Sequence, residues 1–428
     1  MPAWGRGFVG VDPGFLAAIS DGRGLSARYA RLLDYLQYNN PPFNQYRLAE
    51  ELGIPQPCIS RVLARLRGGG ARVMQDIDLN KLGLKTVFVF YEGRLLTAVP
   101  ALDWVASAWW AGSGTLLVYR VPPEHEGRLL DVLSEKLGEP GEVVGVRGSF
   151  IAKPSIEYYI AGAEGLDPVS AVKALEKHPP VPSRVVGFPE GEAELRYRDP
   201  RALELLSYLE HDVVEARRLF ARRWGLRLYN HMIRRVSGAL RGARAMFLDR
   251  GGALVFARVE SSRACSEHAA RILAVYPYAT NLFLADDGGL IAVFMMPFVY
   301  WNSVLRWLLG LCGGPGAVRF KAHVTSLNGG LLRQYIPWRN YDKDAHRWSF
   351  DDAPRLALVR LARRGAAGAR EASGLYEWSV EEYVRRLAEA MGAGYVASLL
   401  PRLPKDVRKI VEDTLAGVQG QSGGDGNP

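Results

Sequence analysis

The chain has 428 residues, of which 48% are hydrophobic and 23% are charged, a composition typical of folded globular proteins. This length exceeds that of one ordinary domain, so several domains are expected. The three cysteines, Cys58, Cys265 and Cys312, include no C-x-x-C pair and are too few for a disulfide framework, which excludes a disulfide-rich secreted domain and favours the cytoplasm.

The net charge of +9 is concentrated in short segments. Residues 214–250 contain ten arginines and two acidic residues, and residues 56–75 contain four arginines and no acidic residue. Charge confined to two segments indicates a polyanion-binding surface, although solvated helix faces explain a single cluster equally well.

The first predicted unit consists of three helices, at 27–38, 44–52 and 57–67. Gly53 ends the second helix, and it is expected to adopt a left-handed conformation. Pro57 fits the first turn of the third helix, where a missing N–H costs nothing. An alternating segment at 72–78 is predicted to form a hairpin wing. Three helices with a tight turn before the last one are typical of a helix-turn-helix.

An α/β pattern follows this first unit. It predicts a strand at 86–91, a helix at 97–105, a hairpin within 107–121, a helix at 124–137 and a strand at 143–152. The later sequence predicts the same order, with a strand at 254–259, a helix at 263–275, a turn at 286–289, a helix at 299–311 and a strand at 317–325. This β-α-β-β-α-β order is ferredoxin-like.

The two patterns are related by an internal repeat. Five matched features recur in order at offsets between 172 and 175 residues, among them Pro140-Gly141, which recurs as Pro315-Gly316. The predicted fold class is therefore α+β, with two tandem copies of a winged helix-turn-helix plus a ferredoxin-like domain and a helical C-terminal extension. The predicted domains are an N-terminal extension (1–26), winged helix-turn-helix 1 (27–82), α/β domain 1 (83–161), a linker (162–198), an arginine-rich winged helix-turn-helix 2 (199–251), α/β domain 2 (252–330), a helical region (331–416) and a disordered tail (417–428).

The apolar stretch at 290–311 is about long enough to cross a bilayer, but Pro297, Asn302 and Arg306 interrupt it. We predict instead a buried strand that leads into a core helix.

The third helix of each copy is predicted to present polar side chains to DNA, because arginine forks donate to guanine and phosphate while Gln and Ser read base edges. The predicted DNA-binding residues are Gln56, Ser60, Arg61, Arg65, Arg67, Arg72, Arg222, Arg223, Arg227, Asn230, Arg234 and Arg235. The histidines have no ligand spacing, so no metal site is predicted. No cofactor and no catalytic residue are predicted either.

The stretch from Leu48 to Val62, with Pro57-Cys58 before the helix, resembles the turn and recognition helix of the leucine-responsive (Lrp/AsnC) family of prokaryotic regulators. The segment 78–84 is similar to that family's link from wing to α/β domain. The resemblance implies a non-enzymatic transcriptional regulator of double-stranded DNA that has no membrane partner. It further implies a small-molecule effector and a homodimer, or here an internal pseudo-dimer. The family's Gly-x-x-Asp turn is replaced by Gly112–Thr115 and Asp286–Gly289.

Two alternatives remain open. An architectural DNA binder would bind without sequence preference, mainly through phosphate contacts. A siroheme-decarboxylase-like enzyme would share the same architecture, since fold does not determine function. The stretch from Tyr278 to Phe283 is the nearest counterpart of that enzyme's His-Asn-Tyr-type strand, but it lacks the histidine.

Overall fold

The computed structural model of the chain mixes helices with antiparallel sheet, which confirms the α+β class. It describes residues 32, 35–37, 39, 44–68, 71–96, 99–101, 104–111, 113–150, 193–247, 253–274, 276, 278–296, 301–311, 319–326, 330–332, 336–350, 380–403 and 405–422.

The helices of the described residues are α1 (Gln45–Leu52), α2 (Gln56–Gly68), α3 (Glu126–Leu137), α4 (Pro200–His211), α5 (Val213–Trp224), α6 (Leu226–Val236), α7 (Arg263–Leu273), α8 (Trp301–Leu311), α9 (Val380–Met391), α10 (Ala393–Leu399) and α11 (Lys405–Ser422). As predicted, Gly53 ends α1 in the left-handed region, with φ of 63°. Its N–H donates to the carbonyls of Ala49 and Glu50 and so caps the helix.

The strands are β1 (Ala71–Ile77), β2 (Lys85–Glu92), β3 (Val105–Ala111), β4 (Gly114–Val121), β5 (Glu142–Phe150), β6 (Leu240–Phe247), β7 (Ala253–Glu260), β8 (Ala279–Ala285), β9 (Leu290–Met296), β10 (Arg319–Ser326), β11 (Gly330–Leu332), β12 (Tyr341–Asp342) and β13 (Arg347–Trp348). Nine of them form one antiparallel sheet in the order β10-β7-β9-β8-β5-β2-β4-β3-β11. The two halves of the chain join where β5 pairs with β8.

The two faces of this sheet contribute to different cores, because successive side chains of a strand point to opposite faces. On the outer face, Val87 and Val89 of β2 share a core with Leu129 and Leu133 of α3. The outer face of the second half packs under α7 and α8. The inner face of both halves forms one common core, to which β2 contributes Phe88.

The sheet curls so that the inner faces of its two halves meet. Trp109 on β3 and Phe256 on β7 are far apart in the strand order, yet their ring centroids are 5.7 Å apart. Phe88 on β2 and Phe283 on β8 are in edge-to-face contact, with ring centroids at 5.3 Å. The inner core is therefore enclosed between the two halves.

The hairpin wing predicted at 72–78 is absent, and its residues form a single strand instead. Strand β1 pairs antiparallel with β6 of the second half, with Met74 opposite Arg244 and Asp76 opposite Gly242. The seven residues of β1 contain no turn, so each half supplies one strand to a shared two-stranded ribbon. Val73 and Ile77 face the helical core, whereas Met74 joins the inner core of the large sheet.

Other predicted elements have mixed outcomes. The stretch at 290–311 forms β9 and then α8, as predicted, and no described helix is long and apolar enough to cross a membrane.

The helix predicted at 97–105 is wrong, because β3 already begins at Val105 and the described residues before it are not α-helical. Ala101 there has a φ of 50°, which a helix does not accommodate.

The C-terminal helices α9, α10 and α11 pack around a core of their own. Helices were predicted from 379 to 392 and from 405 to 416, and the structure has α9 and α11 there. The predicted disordered tail is wrong in part, because α11 continues to Ser422. The helix predicted at 353–364 lies outside the described residues, as do most of the linker and residues 1–31.

Cysteine usage differs from the prediction. Cys58 is a free thiol, but Cys265 on α7 is disulfide-bonded.

Candidate functional site: a cleft between the two halves of the sheet

A cleft opens on the inner face, where strands of both halves of the sheet approach each other. It is lined by β2, β3 and β4 of the first half and by β7, β8 and β9 of the second. The lining residues are Thr86, Phe88, Ala106, Ser107, Trp109, Val118, Arg120, Leu254, Phe256, Thr280, Asn281, Phe283, Val293 and Met295. Most of this wall is apolar or aromatic, as is usual for sites that bind organic molecules.

Arg120 is the charged residue of the wall, and it is held by an ion pair. Its two terminal nitrogens contact both carboxylate oxygens of Glu210 on α4, at 2.5 and 2.7 Å. Only 13% of the Arg120 side chain and 10% of the Glu210 side chain are exposed. A bidentate ion pair fixes the guanidinium in position, so Glu210 on α4 orients the Arg120 side chain in the cleft wall.

A second arginine, Arg244 on β6, does not line the cleft but contacts one of its lining residues. Its Nη1 donates to the carbonyl of Thr280, a lining residue. With its amide oxygen turned towards Arg244, Asn281 accepts hydrogen bonds of 3.3 and 3.0 Å from Nη1 and Nη2. Desolvation by burial lowers the pKa of Arg244, although the nearby carboxylates of Asp76 and Glu210 oppose that shift. The buried cation is therefore fixed by neutral acceptors of the lining strand.

Three buried donors in or beside the cleft wall lack an acceptor. Among the described residues, Trp109 Nε1, Arg120 Nε and Arg244 Nε are buried and form no hydrogen bond. A buried donor without an acceptor costs about 1–3 kcal/mol. Because Trp109 and Arg120 line the cleft and Arg244 contacts the lining residue Thr280, these donors favour a ligand that carries acceptor oxygens.

Asp76 on β1 is the acidic residue on the cleft side of the ribbon. It lies two residues after Met74, which belongs to the inner core, and therefore on the same face of β1, and it is partly buried. Desolvation raises the pKa of its carboxyl group, with Glu210 adding to the shift and Arg241, Arg244 and Arg120 opposing it. The side chain of Asp76 forms no hydrogen bond or ion pair with any described residue. A carboxyl group in such surroundings is a candidate for proton exchange.

The DNA-binding residues predicted in the first copy lie on α2 and β1, away from the cleft. Gln56 and Ser60 are partly buried, and both donate to Gln45 Oε1 of α1 at 2.8 Å. Arg61 is exposed, and its Nε donates to the carbonyl of Pro57 at 3.3 Å. The side chains of Arg65, Arg67 and Arg72 lie outside the described residues.

The predicted residues of the second copy lie on α5 and α6. Arg222, Arg227, Asn230, Arg234 and Arg235 are exposed there. Arg223 instead pairs with the buried carboxylate of Glu204 and stacks on Trp224 at 4.9 Å. Arg235 lies 3.6 Å from Asp199. None of these residues lines the cleft.

Comparison with known proteins gives two solved structures and no sequence relative. No protein-family model matches the chain, and no curated protein sequence matches it. One structure is of the siroheme decarboxylase NirDL, at 14% identity and a TM-score of 0.45, and the match covers 76% of this chain and 98% of that one. The other is of NirDL with an iron-uroporphyrin III analogue, at 14% identity and a TM-score of 0.39, covering 76% and 95%.

The prediction of a DNA-binding regulator is corrected by the contacts of its predicted DNA-binding residues, because Gln56 and Ser60, predicted to read bases, are bound to Gln45. The two solved structures are of an enzyme and not of a regulator. The hairpin that would have reached DNA is replaced by the β1–β6 ribbon.

Sequence reasoning missed Arg120, Glu210, Arg244 and Asp76, since none belongs to a motif. One signal did point to the cleft. The stretch from Tyr278 to Phe283, singled out as the nearest counterpart of a decarboxylase strand, supplies the lining residues Thr280, Asn281 and Phe283.

Proposed function

We propose that the chain is an enzyme that binds a carboxylate-bearing, largely apolar substrate in the cleft and removes a carboxyl group from it. The observation that carries the proposal is a set of three buried donors without acceptors, Trp109 Nε1 and Arg120 Nε in the apolar wall and Arg244 Nε beside it. A carboxylate offers these donors the acceptor oxygens that the described residues do not provide.

The apolar wall supports decarboxylation as the reaction class. A carboxylate placed among apolar side chains loses its hydration, which destabilises the charged reactant relative to neutral CO2. In this step the bond between carbon and the carboxylate breaks, and CO2 leaves. The electron pair stays on the carbon, and a proton takes the place of the lost group. Arg120 and Arg244 would hold a second carboxylate of the same substrate and so fix its orientation.

Two kinds of molecule share this chemistry, a small aromatic acid and a carboxylated tetrapyrrole. The second is the class that siroheme decarboxylase acts on, and it is the first candidate here. For a tetrapyrrole, the cleft would receive one carboxylate-bearing edge of the ring, with Trp109, Phe88 and Phe283 offering aromatic contacts.

The test is a titration of the protein with iron uroporphyrin III, followed by its visible absorbance, and with 1-naphthoate, followed by tryptophan fluorescence. Saturable binding of either probe is expected, and each probe identifies one of the two sources. Incubation with the bound tetrapyrrole should then release CO2. Failure of both probes to bind would overturn the proposal.

A matched pair of variants locates the binding. Arg120→Lys keeps a charge for Glu210 but removes the Nε donor and the planar fork, so the affinity should fall about tenfold. Arg196→Lys is the control, because Arg196 pairs only with the exposed Glu194 outside the cleft. Equal affinities of the two variants would place the ligand elsewhere.

The architecture supports three further proposals. The two halves act as an internal pseudo-dimer, which the β5–β8 pairing and the shared inner core support. The chain is a duplicated relative of the Lrp/AsnC fold, with the predicted domain boundaries. Its site of action is the cytoplasm, which fractionation of cells would test.

A further inference from the structure

We infer that a proton is a second ligand of the cleft, and that Asp76 takes it up when a carboxylate binds. The inference rests on the proposed function, because it concerns how the same site admits an anion. Its starting point is the position of Asp76, on the face of β1 that contributes Met74 to the inner core.

The ribbon places Asp76 beside the arginines of the cleft. In the register of β1 and β6, Asp76 lies opposite Gly242, and Arg244 lies opposite Met74. Arg244 is therefore the diagonal neighbour of Asp76 on the same face of the ribbon. Gly242 has no side chain, so β6 presents no side chain directly opposite Asp76.

Four charged groups on neighbouring elements act electrostatically on Asp76. Arg241 and Arg244 come from β6, Arg120 comes from β4, and Glu210 comes from α4. The positions of three of these groups are fixed by other contacts. Arg120 binds Glu210, Arg244 binds Thr280, and Arg241 donates to Ser149 Oγ at 3.0 Å. Asp76 itself has no such contact with a described residue.

An incoming carboxylate changes the charge balance of this cluster. Without ligand, the positive charges of the arginines favour the ionised form of Asp76 and oppose the effect of its burial. A bound carboxylate neutralises that field and adds a like charge near Asp76. Two carboxylates that share one site cannot both remain ionised at low cost, so one of them takes up a proton. The ligand oxygens receive hydrogen bonds from the arginines, and Asp76 therefore becomes the neutral partner.

Ligand binding is expected to weaken as the pH rises. If the complex holds one more proton than the free protein, raising the pH weakens binding wherever free Asp76 is ionised. The dissociation constant then rises up to about tenfold per pH unit in that range. With Asn at position 76 no proton is needed, and binding should be as tight at high pH as at low pH.

The experiment measures the dissociation constant of iron uroporphyrin III between pH 5 and 9 for the wild type, Asp76→Asn and Asp78→Asn. Asp78 is the control carboxylate, because it lies two residues away and interacts with Lys81 at 3.5 Å. The ratio of wild-type to Asp76→Asn dissociation constants should grow about tenfold or more across this range. Asp78→Asn should follow the wild type.

Calorimetry in two buffers of different ionisation enthalpy gives an independent readout of the proton. In the pH range where its dissociation constant rises with pH, the wild type should take up a proton when the ligand binds. The Asp76→Asn variant should bind without taking up a proton. Asp76→Ser serves as a second variant if the Asn variant fails to fold. Parallel pH profiles of wild type and Asp76 variants would overturn the inference while leaving the proposed function intact. Absence of probe binding to the wild type at every pH would overturn the proposed function itself, and the inference with it.

Discussion

The two faces of the nine-stranded sheet show how one scaffold separates stability from function. The outer face of the first half packs apolar side chains such as Val87 and Leu117 against α3. The inner face is also largely apolar, but it contains buried donors without acceptors and a paired buried arginine. Unsatisfied buried groups reduce stability and persist where they have another role. Substitutions on the outer face are therefore expected to change stability alone, whereas substitutions on the inner face should change ligand binding as well.

The largest effect is expected from breaking the buried ion pair of the inner face. Glu210→Ala leaves Arg120 without its partner in a desolvated position, so the free energy of unfolding should fall by about 3–5 kcal/mol. Denaturant melts would measure it. Glu215→Ala is the control, since Glu215 pairs with the exposed Arg218 and should cost less than about 1 kcal/mol. Equal losses would mean that the Arg120 site is not desolvated.

A substitution on the outer face should lower stability and leave binding unchanged. Leu133→Ala removes a fully buried side chain of α3 from the outer core, and it should cost about 2–4 kcal/mol. The affinity of the folded variant for iron uroporphyrin III should equal that of the wild type. A change in affinity without unfolding would contradict the separation of the two faces.

The inner face should show the reverse pattern at Trp109. Trp109→Phe keeps an aromatic ring but removes the buried Nε1 donor that no described residue satisfies. Stability should change by less than about 1 kcal/mol, because an unsatisfied donor is lost. Probe affinity should nevertheless fall about tenfold, because the ligand loses a hydrogen bond. Thermal melts and titrations on the same samples measure both, and an unchanged affinity would remove Trp109 from the site.

The smallest effect concerns the pH dependence of folding. Burial raises the pKa of Asp76 in the folded protein above its unfolded value, so the folded state binds this proton more tightly. The stabilisation is fully present below the unfolded pKa and is lost as the pH rises through the folded pKa. Asp76→Asn should therefore gain stability relative to the wild type as the pH rises above about 4, the usual aspartate value. Urea titrations at several pH values test this, and a constant difference would contradict it.

The local sequence was sufficient to predict most helices and strands. The helix predicted at 57–67 is α2, and Gly53 ends α1 in the expected conformation. The interrupted apolar stretch at 290–311 was assigned to a strand and a helix, which the structure confirms. These features depend on side-chain periodicity and backbone preferences, which act over a few residues.

The site was not predictable in the same way, because its residues come from distant segments. Arg120 and Glu210 are 90 positions apart in the sequence, and Arg244 and Thr280, which are in contact, are 36 positions apart. The arginine-rich segment at 214–250 was interpreted as one surface, yet Arg244 points into the protein while Arg222 and Arg227 are exposed. Sequence shows how many charges a segment contains, but burial decides which of them act on a ligand.

By itself, the sequence determined the α+β class and the order of the main elements. Only the tertiary structure decided that β1 would pair with β6 instead of forming a hairpin, and that the inner faces of the two halves would meet. The physical reason is that strand pairing and sheet curvature depend on long-range contacts. The same contacts place Arg120 in the cleft wall and Arg244 against the lining residue Thr280.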